Sequence, residues 1–261
     1  MFSFLKRGDK KLGLALGGGA ARGLAHLGVL KVLEEEQIEI SYVAGTSAGS
    51  LIGALYCAGY TWQEIREVAV NVKWQDLVAL AIPKLGLVKT SKLQELLDDL
   101  LEGKDFASLE IPFRAVAVDI QRGEQVILES GSVAEAVRAS CSIPAIFEPM
   151  PLDGRLLVDG GLLNDVPADV VRDMGADLVI AVDLNSRKVI PGEPDNILEV
   201  LYRSINILIN YSKQQAEEEA DFYVAPDVTD FGYEDLSRLE ELIERGERAM
   251  RAQLAALKSK S

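Results

Sequence analysis

Residues 43–56 read VAGTSAGSLIGALY, and this stretch decides the fold. An apolar run typical of a buried strand ends at Gly45, and an apolar segment typical of a buried helix begins after Ser47. Ser47 stands in a G-x-S-x-G frame between Gly45 and Gly49, where a tight strand-to-helix turn accepts only small neighbours. We therefore predict a nucleophile elbow, with the Ser47 hydroxyl above the sheet at the positive end of the following helix.

The rest of the chain continues this alternation of short apolar strands and amphipathic helices. We predict strands at 12–16, 41–45, 111–120, 124–130, 155–161 and 176–184. The alternation predicts an α/β fold with three layers, α/β/α, around a mostly parallel central sheet. We expect a single domain over 1–261, with a motif-bearing core at 11–185 and a helical C-terminal part at 195–258.

Charge and cysteine content narrow the classes of function. A net charge of −14 and a pI of about 4.6 disfavour binding to nucleic acid, because an acidic protein repels the phosphate backbone. Cys57 and Cys141 lie far apart, without C-x-x-C spacing or a histidine cluster. We therefore expect two reduced thiols in a cytoplasmic protein, and no metal site.

Two segments are candidates for contact with a membrane, although no segment has the roughly 18 apolar residues that a spanning helix requires. Residues 1–11 place aromatic residues before basic ones, the reverse of a secretory signal. Residues 74–88, WQDLVALAIPKLGLV, either cap the site or form a buried helix and turn. We expect a cytoplasmic location, with peripheral contact at the inner membrane surface as an additional hypothesis.

A glycine-rich loop, LGGGAARGLAH at 16–26, joins the first predicted strand to the first predicted helix. Its backbone amides favour an anion, either a dinucleotide phosphate or the oxyanion of an acyl-transfer intermediate. The dinucleotide interpretation fails because Arg22 stands where the third glycine is required and the second strand offers no acidic residue for a ribose. An oxyanion site and a glycine turn without a ligand remain as interpretations.

Asp159, in the motif LLVDGG, is the third candidate for a chemical role. It lies at the carboxyl end of a predicted strand, where α/β proteins place their functional residues, and Gly160 and Gly161 keep the space around it open. Aspartate before glycine is also ordinary turn chemistry, so the motif by itself leaves both interpretations open.

A nucleophilic Ser47 needs a general base, and the choice of base bears on whether Asp159 has a chemical role or only forms a turn. The single histidine, His26, precedes the serine and is expected on a helix face. No histidine follows Asp159, so we predict a Ser47–Asp159 dyad in which partial burial raises the pKa of the carboxyl. Asp153 and Asp165 are the alternative bases.

Three motifs, GGGAARGLAHLGVL, GTSAGS and DGG, occur in that order and resemble those of the patatin-like phospholipases. The bacterial branch related to the neuropathy target esterase catalytic domain is the most similar. The blocks ASCSIPAIFEPM and DGGLLNDVP are also similar to this family, and the resemblance covers about 11–185. It implies a patatin-like fold and hydrolysis of fatty-acyl lipid esters without a cofactor, with Ser47 as nucleophile and Asp159 as base.

The resemblance also implies that the glycine loop forms the oxyanion hole. Gly18, Gly19 and Ala20 would supply amides, and Arg22 matches the basic residue of the G-G-G-x-R/K-G pattern. Alignment on Arg22 puts Ala20 where a glycine is expected, which leaves open which amides face the oxyanion.

The predicted function is therefore a serine lipid acyl hydrolase, a phospholipase A or a lysophospholipase-like esterase. An acyltransferase using the same serine and a low-turnover regulatory protein that binds acyl chains are the alternatives. The expected partner is a lipid or another fatty-acyl ester, and the sequence carries no indication of oligomeric state.

Overall fold

The structure is a computed structural model that describes residues 10–71, 79–80, 88–89, 91–185, 193–195, 197–232 and 237–260. Its strands are β1 (Leu12–Leu16), β2 (Tyr42–Thr46), β3 (Ala79–Leu80), β4 (Val88–Lys89), β5 (Phe113–Asp119), β6 (Glu124–Leu128), β7 (Met150–Leu152), β8 (Arg155–Asp159), β9 (Leu178–Val182) and β10 (Phe222–Val224). Its helices are α1 (Ala25–Glu35), α2 (Ala48–Cys57), α3 (Trp62–Asn71), α4 (Ser91–Leu101), α5 (Val133–Ser140), α6 (Ala168–Asp173), α7 (Ile197–Glu219) and α8 (Leu239–Lys260). Short 3-10 turns occupy Ala20–Leu24, Phe106–Ser108 and Gly160–Leu162.

The central sheet is mixed but mostly parallel, in the order β10-β9-β1-β2-β5-β8-β7, with β6 also paired to β5. The strands from β10 to β5 are parallel, whereas β6 and β8 run antiparallel to β5 and β7 runs antiparallel to β8. Strands β1 and β9 are buried along their whole length, as expected where helices cover both faces of a parallel sheet. The predicted α/β class is confirmed.

Helices cover the sheet on both sides. Successive side chains of a strand point to opposite faces, so an apolar strand has to be buried on both. In β1, Leu14 and Leu16 belong to the larger apolar core beneath α1, α2 and α8. Ala15 faces the other core, which includes Val171 of α6 and Ala216 of α7. The three predicted layers are therefore present.

Strand β8 runs antiparallel to its neighbour β5 in the mostly parallel sheet. A parallel strand would bring Asp159 to the carboxyl edge of the sheet, but β8 is antiparallel to β5 and places Asp159 opposite Ala117. The preceding residue of β5, Val116, lies opposite Thr46 of β2. Because β5 extends beyond the end of β2, the returning β8 ends at about the level of Ser47. Asp159 is the last residue of β8, as predicted for the strand at 155–161, but the rule for the carboxyl edge of a parallel sheet does not explain its position.

Two membrane-related predictions have no further structural description. Residues 1–9 and most of 74–88 lie outside the described part of the chain. None of the helices in the described ranges combines the length and apolar composition that crossing a bilayer requires.

The last helix, α8, packs against α1 at a very close crossing. A Cβ atom added at Gly246 would lie 1.8 Å from the Ala25 carbonyl oxygen, and one added at Gly28 would lie 2.0 Å from the Ile243 carbonyl oxygen. An ion pair between Lys31 and Glu247, with an N–O distance of 2.7 Å, joins the same two helices. At least one charged side chain of the helix predicted near 234–258 therefore forms an ion pair with α1.

We expect Gly246→Ala to destabilise the protein. In an open helix this exchange stabilises by about 1 kcal/mol, but here the added methyl group overlaps the Ala25 carbonyl. The free energy of unfolding should fall by roughly 1–3 kcal/mol, which thermal unfolding would detect as a lower Tm. Glu244→Ala, at an exposed position of α8, is the control and should change Tm little. An unchanged Tm for Gly246→Ala would contradict the close crossing.

Candidate active site

Ser47 occupies the sharp turn between β2 and α2. Its backbone angles, φ 51° and ψ −123°, are rarely adopted by residues other than glycine. Glycines make the turn possible, because helix and sheet approach each other very closely there. A Cβ atom at Gly49 would lie 2.0 Å from the Leu16 carbonyl oxygen. A Cβ atom at Gly45 would lie 2.4 Å from the Gly49 carbonyl oxygen. The predicted strand–elbow–helix arrangement is present, with Ser47 at the start of α2.

The strained elbow is held by a serine that the sequence analysis did not single out. The Ser47 amide donates to Ser140 Oγ at 2.9 Å, and the Ser140 hydroxyl donates to the Val116 carbonyl oxygen at 2.6 Å. Ser140 is the last residue of α5, and its role depends on a contact across 93 residues of sequence. No local pattern distinguishes it from an ordinary buried serine.

Asp159 is buried beside Ser47, with 7% of its surface exposed. Its Oδ1 accepts a hydrogen bond from the Gly161 amide at 2.8 Å, and the Ser47 side chain lies close enough to favour the ionised carboxylate. Burial raises the pKa of Asp159 to about 6, and the Ser47 side chain and the Gly161 amide oppose this shift. Gly160 is required at the turn, since a Cβ atom there would lie 2.3 Å from the Val116 carbonyl oxygen.

The glycine loop lies against the serine, but one of its predicted donors is already engaged. A Cβ atom at Gly18 would lie 3.4 Å from Ser47 Cβ. The Gly18 amide donates to the Asp165 carbonyl oxygen at 3.1 Å, so the prediction that it serves an oxyanion needs revision. Gly19 precedes the 3-10 turn and Ala20 begins it, where amides have no acceptor within the turn. These two are the remaining candidates.

Ala20 adopts the left-handed conformation that the aligned pattern gives to glycine. Its φ is 49°, which costs an alanine about 1–2 kcal/mol relative to a right-handed conformation. Ala20 also lines the adjacent cavity.

Arg22 is buried in the same turn, but its side chain extends towards the C-terminal part of the chain. Its Nε and Nη2 atoms donate to the Phe231 carbonyl oxygen at 3.0 and 2.8 Å, and its amide donates to Gly19 at 3.1 Å. The Phe231 ring is covered by the guanidinium groups of Arg238 and Arg245, 3.9 and 5.1 Å from its centroid. Arg22 thus ties the glycine loop to the C-terminal segment, a contact that the sequence analysis missed.

His26 lies on α1 and is fully buried, as expected for a helix-face residue. Its Nε2 donates to the Gly17 carbonyl oxygen at 2.8 Å, and Nδ1 has no partner among the described residues. Burial lowers the pKa of His26 to about 4, so the imidazole is neutral at physiological pH. It supports the glycine loop and does not contact the Ser47 hydroxyl.

The two alternative bases occupy different positions. Asp153 is exposed in the turn between β7, which the sequence analysis did not predict, and β8. Asp165 is buried, and its Oδ2 accepts from Asn185 Nδ2 at 3.0 Å. The same Asn185 nitrogen donates to the Gly18 carbonyl oxygen at 3.2 Å, so Asp165 belongs to the support of the glycine loop.

An apolar cavity of about 180 Å³ opens beside Ser47. Cys141 lines it near the serine, and burial raises the pKa of this thiol to about 12, which keeps it protonated. The walls come from the glycine turn, from α2, α3 and α4, and from the loop after α5: Ala20, Ala21, Gly23, Leu24, Ala48, Leu51, Ile52, Leu55, Ile65, Val68, Ala69, Leu93, Leu96, Leu97, Leu100, Ile143 and Phe147. Such a lining suits a hydrocarbon chain with one end at the Ser47 hydroxyl.

A model of the family described as patatin-like phospholipase matches residues 14–172, more than half of the chain. The chain belongs to the patatin-like phospholipase family. The resemblance predicted from the three ordered motifs is thereby confirmed, together with the patatin-like fold.

Relatives of this family member include bacterial and animal proteins. An uncharacterized NTE family protein of Mycobacterium tuberculosis is 35% identical over 201 residues, which are 75% of this chain and 56% of the relative. Patatin-like phospholipase domain-containing protein 6 of Homo sapiens is 38% identical over 184 residues, 67% of this chain and 13% of the relative. The chain thus spans little more than half of the mycobacterial relative and a small fraction of the human one.

Solved structures share the patatin-like fold at low sequence identity. The type III effector protein ExoU of Pseudomonas aeruginosa has a TM-score of 0.55 at 13% identity, covering 95% of this chain and 53% of that chain. VipD from Legionella pneumophila has a TM-score of 0.51 at 12% identity, covering 93% of this chain and 67% of that chain. At these identities the likeness concerns the fold alone.

We expect Ser140→Ala to destabilise this patatin-like protein more than Ser142→Ala does. Ser140→Ala removes the acceptor of the buried Ser47 amide, at a cost of about 1–3 kcal/mol in the free energy of unfolding. The Ser142 hydroxyl donates to the Arg138 carbonyl oxygen, which also accepts from the Cys141 amide and therefore keeps a partner. Urea unfolding of both variants makes the comparison, and equal losses would contradict the proposed support of the elbow.

Proposed function

We propose that this protein hydrolyses fatty-acyl esters of lipids, with Ser47 as nucleophile and Asp159 as general base. The observation that carries the proposal is the burial of the Asp159 carboxyl close enough to the Ser47 side chain for Ser47 to favour the ionised carboxylate. The only histidine, His26, is instead bonded to the Gly17 carbonyl oxygen. Family membership supports the same reading, since one relative, of Drosophila melanogaster, is named neuropathy target esterase sws.

In the first step, Asp159 takes the proton of the Ser47 hydroxyl as the serine oxygen attacks the ester carbonyl carbon. An exposed aspartate is too weak a base for this task, but burial raises the pKa of Asp159 to about 6. At neutral pH the carboxylate is therefore mostly ionised and more basic than an ordinary aspartate. The strained elbow keeps the serine oxygen at the mouth of the cavity.

The negative oxygen of the tetrahedral intermediate is stabilised by the amides of Gly19 and Ala20, beside the positive end of α2. The Gly18 amide takes no part because it donates to the Asp165 carbonyl oxygen. Collapse of the intermediate breaks the bond to the alcohol, which leaves with the proton held by Asp159. An acyl-Ser47 ester remains.

In the second step, Asp159 takes a proton from water, whose oxygen attacks the acyl-Ser47 carbonyl carbon. Collapse returns the proton to Ser47 and releases the fatty acid. The apolar cavity holds the acyl chain during both steps, because its walls offer hydrocarbon contacts to the chain and Ser47 lies at its edge.

We expect Ser47→Ala and Asp159→Asn each to lower ester hydrolysis by at least about 100-fold, the lower end of what a positioned general base contributes, because one variant lacks the nucleophile and the other the base. Hydrolysis of p-nitrophenyl esters and release of fatty acid from phospholipid and lysophospholipid, read by mass spectrometry, measure the effect. Asp153→Asn, at an exposed turn, is the matched control and should retain activity. Full activity of Asp159→Asn would place the base elsewhere.

Two further assays on the same variants separate the alternative functions. A fluorophosphonate probe should label wild-type Ser47 and leave Ser47→Ala unlabelled. Absence of labelling in the wild type would favour a protein that binds acyl chains without turnover. Transfer of the acyl group to an added alcohol, without release of free acid, would favour an acyltransferase.

The pH profile should identify the base. Because Asp159 must be ionised to accept the serine proton, kcat/KM should rise with pH, reach half its maximum near the pKa of about 6 and level off above pH 7. Initial rates between pH 4.5 and 8 would measure this limb. A half-maximum near pH 4, or no pH dependence over this range, would contradict a buried carboxylate as the base.

A further inference from the structure

The cavity beside Ser47 follows the axis of α2. Leu51 and Leu55 are spaced four residues apart, so they lie on one face of the helix, and Ile52 adjoins them. The cavity thus begins at the first turn of α2, next to Ser47, and extends to its last turn at Leu55.

Helix α4 forms the facing wall and runs in the same direction as this axis. Near its start, Gln94 accepts a hydrogen bond from Arg138 of α5 at 2.6 Å, close to the support of the elbow. Near its end, the Leu100 carbonyl oxygen accepts from the Tyr60 hydroxyl at 2.7 Å, just beyond the end of α2. Leu93 therefore lies towards the serine, and Leu97 and Leu100 lie towards the far end.

The far end is enclosed by tightly buried side chains. Leu55 is fully buried, and Ile65 and Leu97 each expose 1% of their surface. Side chains packed to interior density leave no room for additional methylene groups without displacement. The described residues therefore limit how far a chain anchored at Ser47 can extend.

The available length follows from helix geometry. Ser47 and Leu55 are eight residues apart, which corresponds to about 12 Å along an α-helix. An extended hydrocarbon chain with C–C bonds of about 1.5 Å advances roughly 1.25 Å per carbon. About ten carbons fill the distance.

We propose that this cavity acts as a molecular ruler that selects medium-chain acyl groups, with an optimum near ten carbons, and that Val68 and Ile65 determine the limit. This inference rests on the proposed function of Ser47. Val68 is half-buried on the cavity wall contributed by α3, and Ile65 is buried on the same helix, nearer the closed end. Longer chains must leave carbons outside the cavity, so they gain nothing from the added length.

Acyl-chain length is tested with p-nitrophenyl esters of four to sixteen carbons, below the concentrations at which they form micelles. In the wild type, kcat/KM should rise by up to about 4-fold per methylene group, the value for full burial of each group, and stop rising near ten carbons. Val68→Phe should move this break to an ester two to four carbons shorter. Ile65→Ala should move it to an ester about two carbons longer.

Val70→Phe is the matched control, because Val70 lies on the same helix with 57% of its surface exposed. It should leave the break unchanged. A wild-type profile that keeps rising to sixteen carbons, or a break that Val68→Phe and Val70→Phe affect equally, would overturn the ruler.

A second readout separates the ruler from the hydrolase. Alkyl fluorophosphonates of the same chain lengths label the serine without requiring turnover, so labelling rates should show the same break and the same shift in Val68→Phe. This pattern without ester hydrolysis would support the ruler and overturn the proposed function. Hydrolysis and labelling that are both insensitive to chain length would overturn the ruler alone, and absence of both would overturn the two together.

Discussion

The burial of the Asp159 carboxylate beside Ser47 is the constraint on which the proposed chemistry depends. A carboxylate in this position loses its hydration, and the raised pKa of about 6 measures the net penalty. The Gly161 amide, which donates to the carboxylate, and the nearby Ser47 side chain offset part of that penalty by favouring the ionised form. A fully solvated aspartate would be a weaker base, whereas a buried carboxyl without these donors would ionise less readily. The surrounding fold therefore has to keep Asp159 buried enough to be a stronger base and hydrogen-bonded enough to stay ionised.

The fold maintains this balance through contacts that are distant in sequence. Backbone strain at Ser47 is tolerated because Ser140 accepts from its amide, and Ser140 is fixed in turn by β5. The glycine loop is fixed from two further sides, by Asn185 after β9 and by Arg22 bound to Phe231. Phe231 lies beyond the part matched by the family model, which ends at residue 172. The C-terminal segment therefore contributes to the geometry of the site, although the motifs are confined to the first part of the chain.

Local features of the site could be predicted from sequence, and features that depend on register could not. The strand, elbow and helix around Ser47 were predictable because glycines and apolar runs encode them within a few residues. The direction of β8 was not, since antiparallel pairing with β5 is decided by the unpredicted hairpin with β7. The occupied Gly18 amide was equally inaccessible, because its acceptor, the Asp165 carbonyl, is brought near only by the finished sheet. The glycine run before a helix could suggest an anion site, but not which amides remain available.

The same geometry constrains the order of events in the proposed reaction. One carboxylate must serve both steps, so Asp159 has to give its first proton to the leaving alcohol before it can accept one from water. The apolar walls hold the acyl chain on the other side of Ser47, where the described lining offers few groups that could orient a polar molecule. Alcohol and water must therefore use the face of the serine that Asp159 occupies, and they compete for it. If the first alcohol leaves slowly, it can attack the acyl-Ser47 ester and regenerate the original ester, whereas a second alcohol in place of water would receive the acyl group. A hydrolase and a transferase built on this site would therefore differ in how that face is hydrated rather than in their catalytic residues.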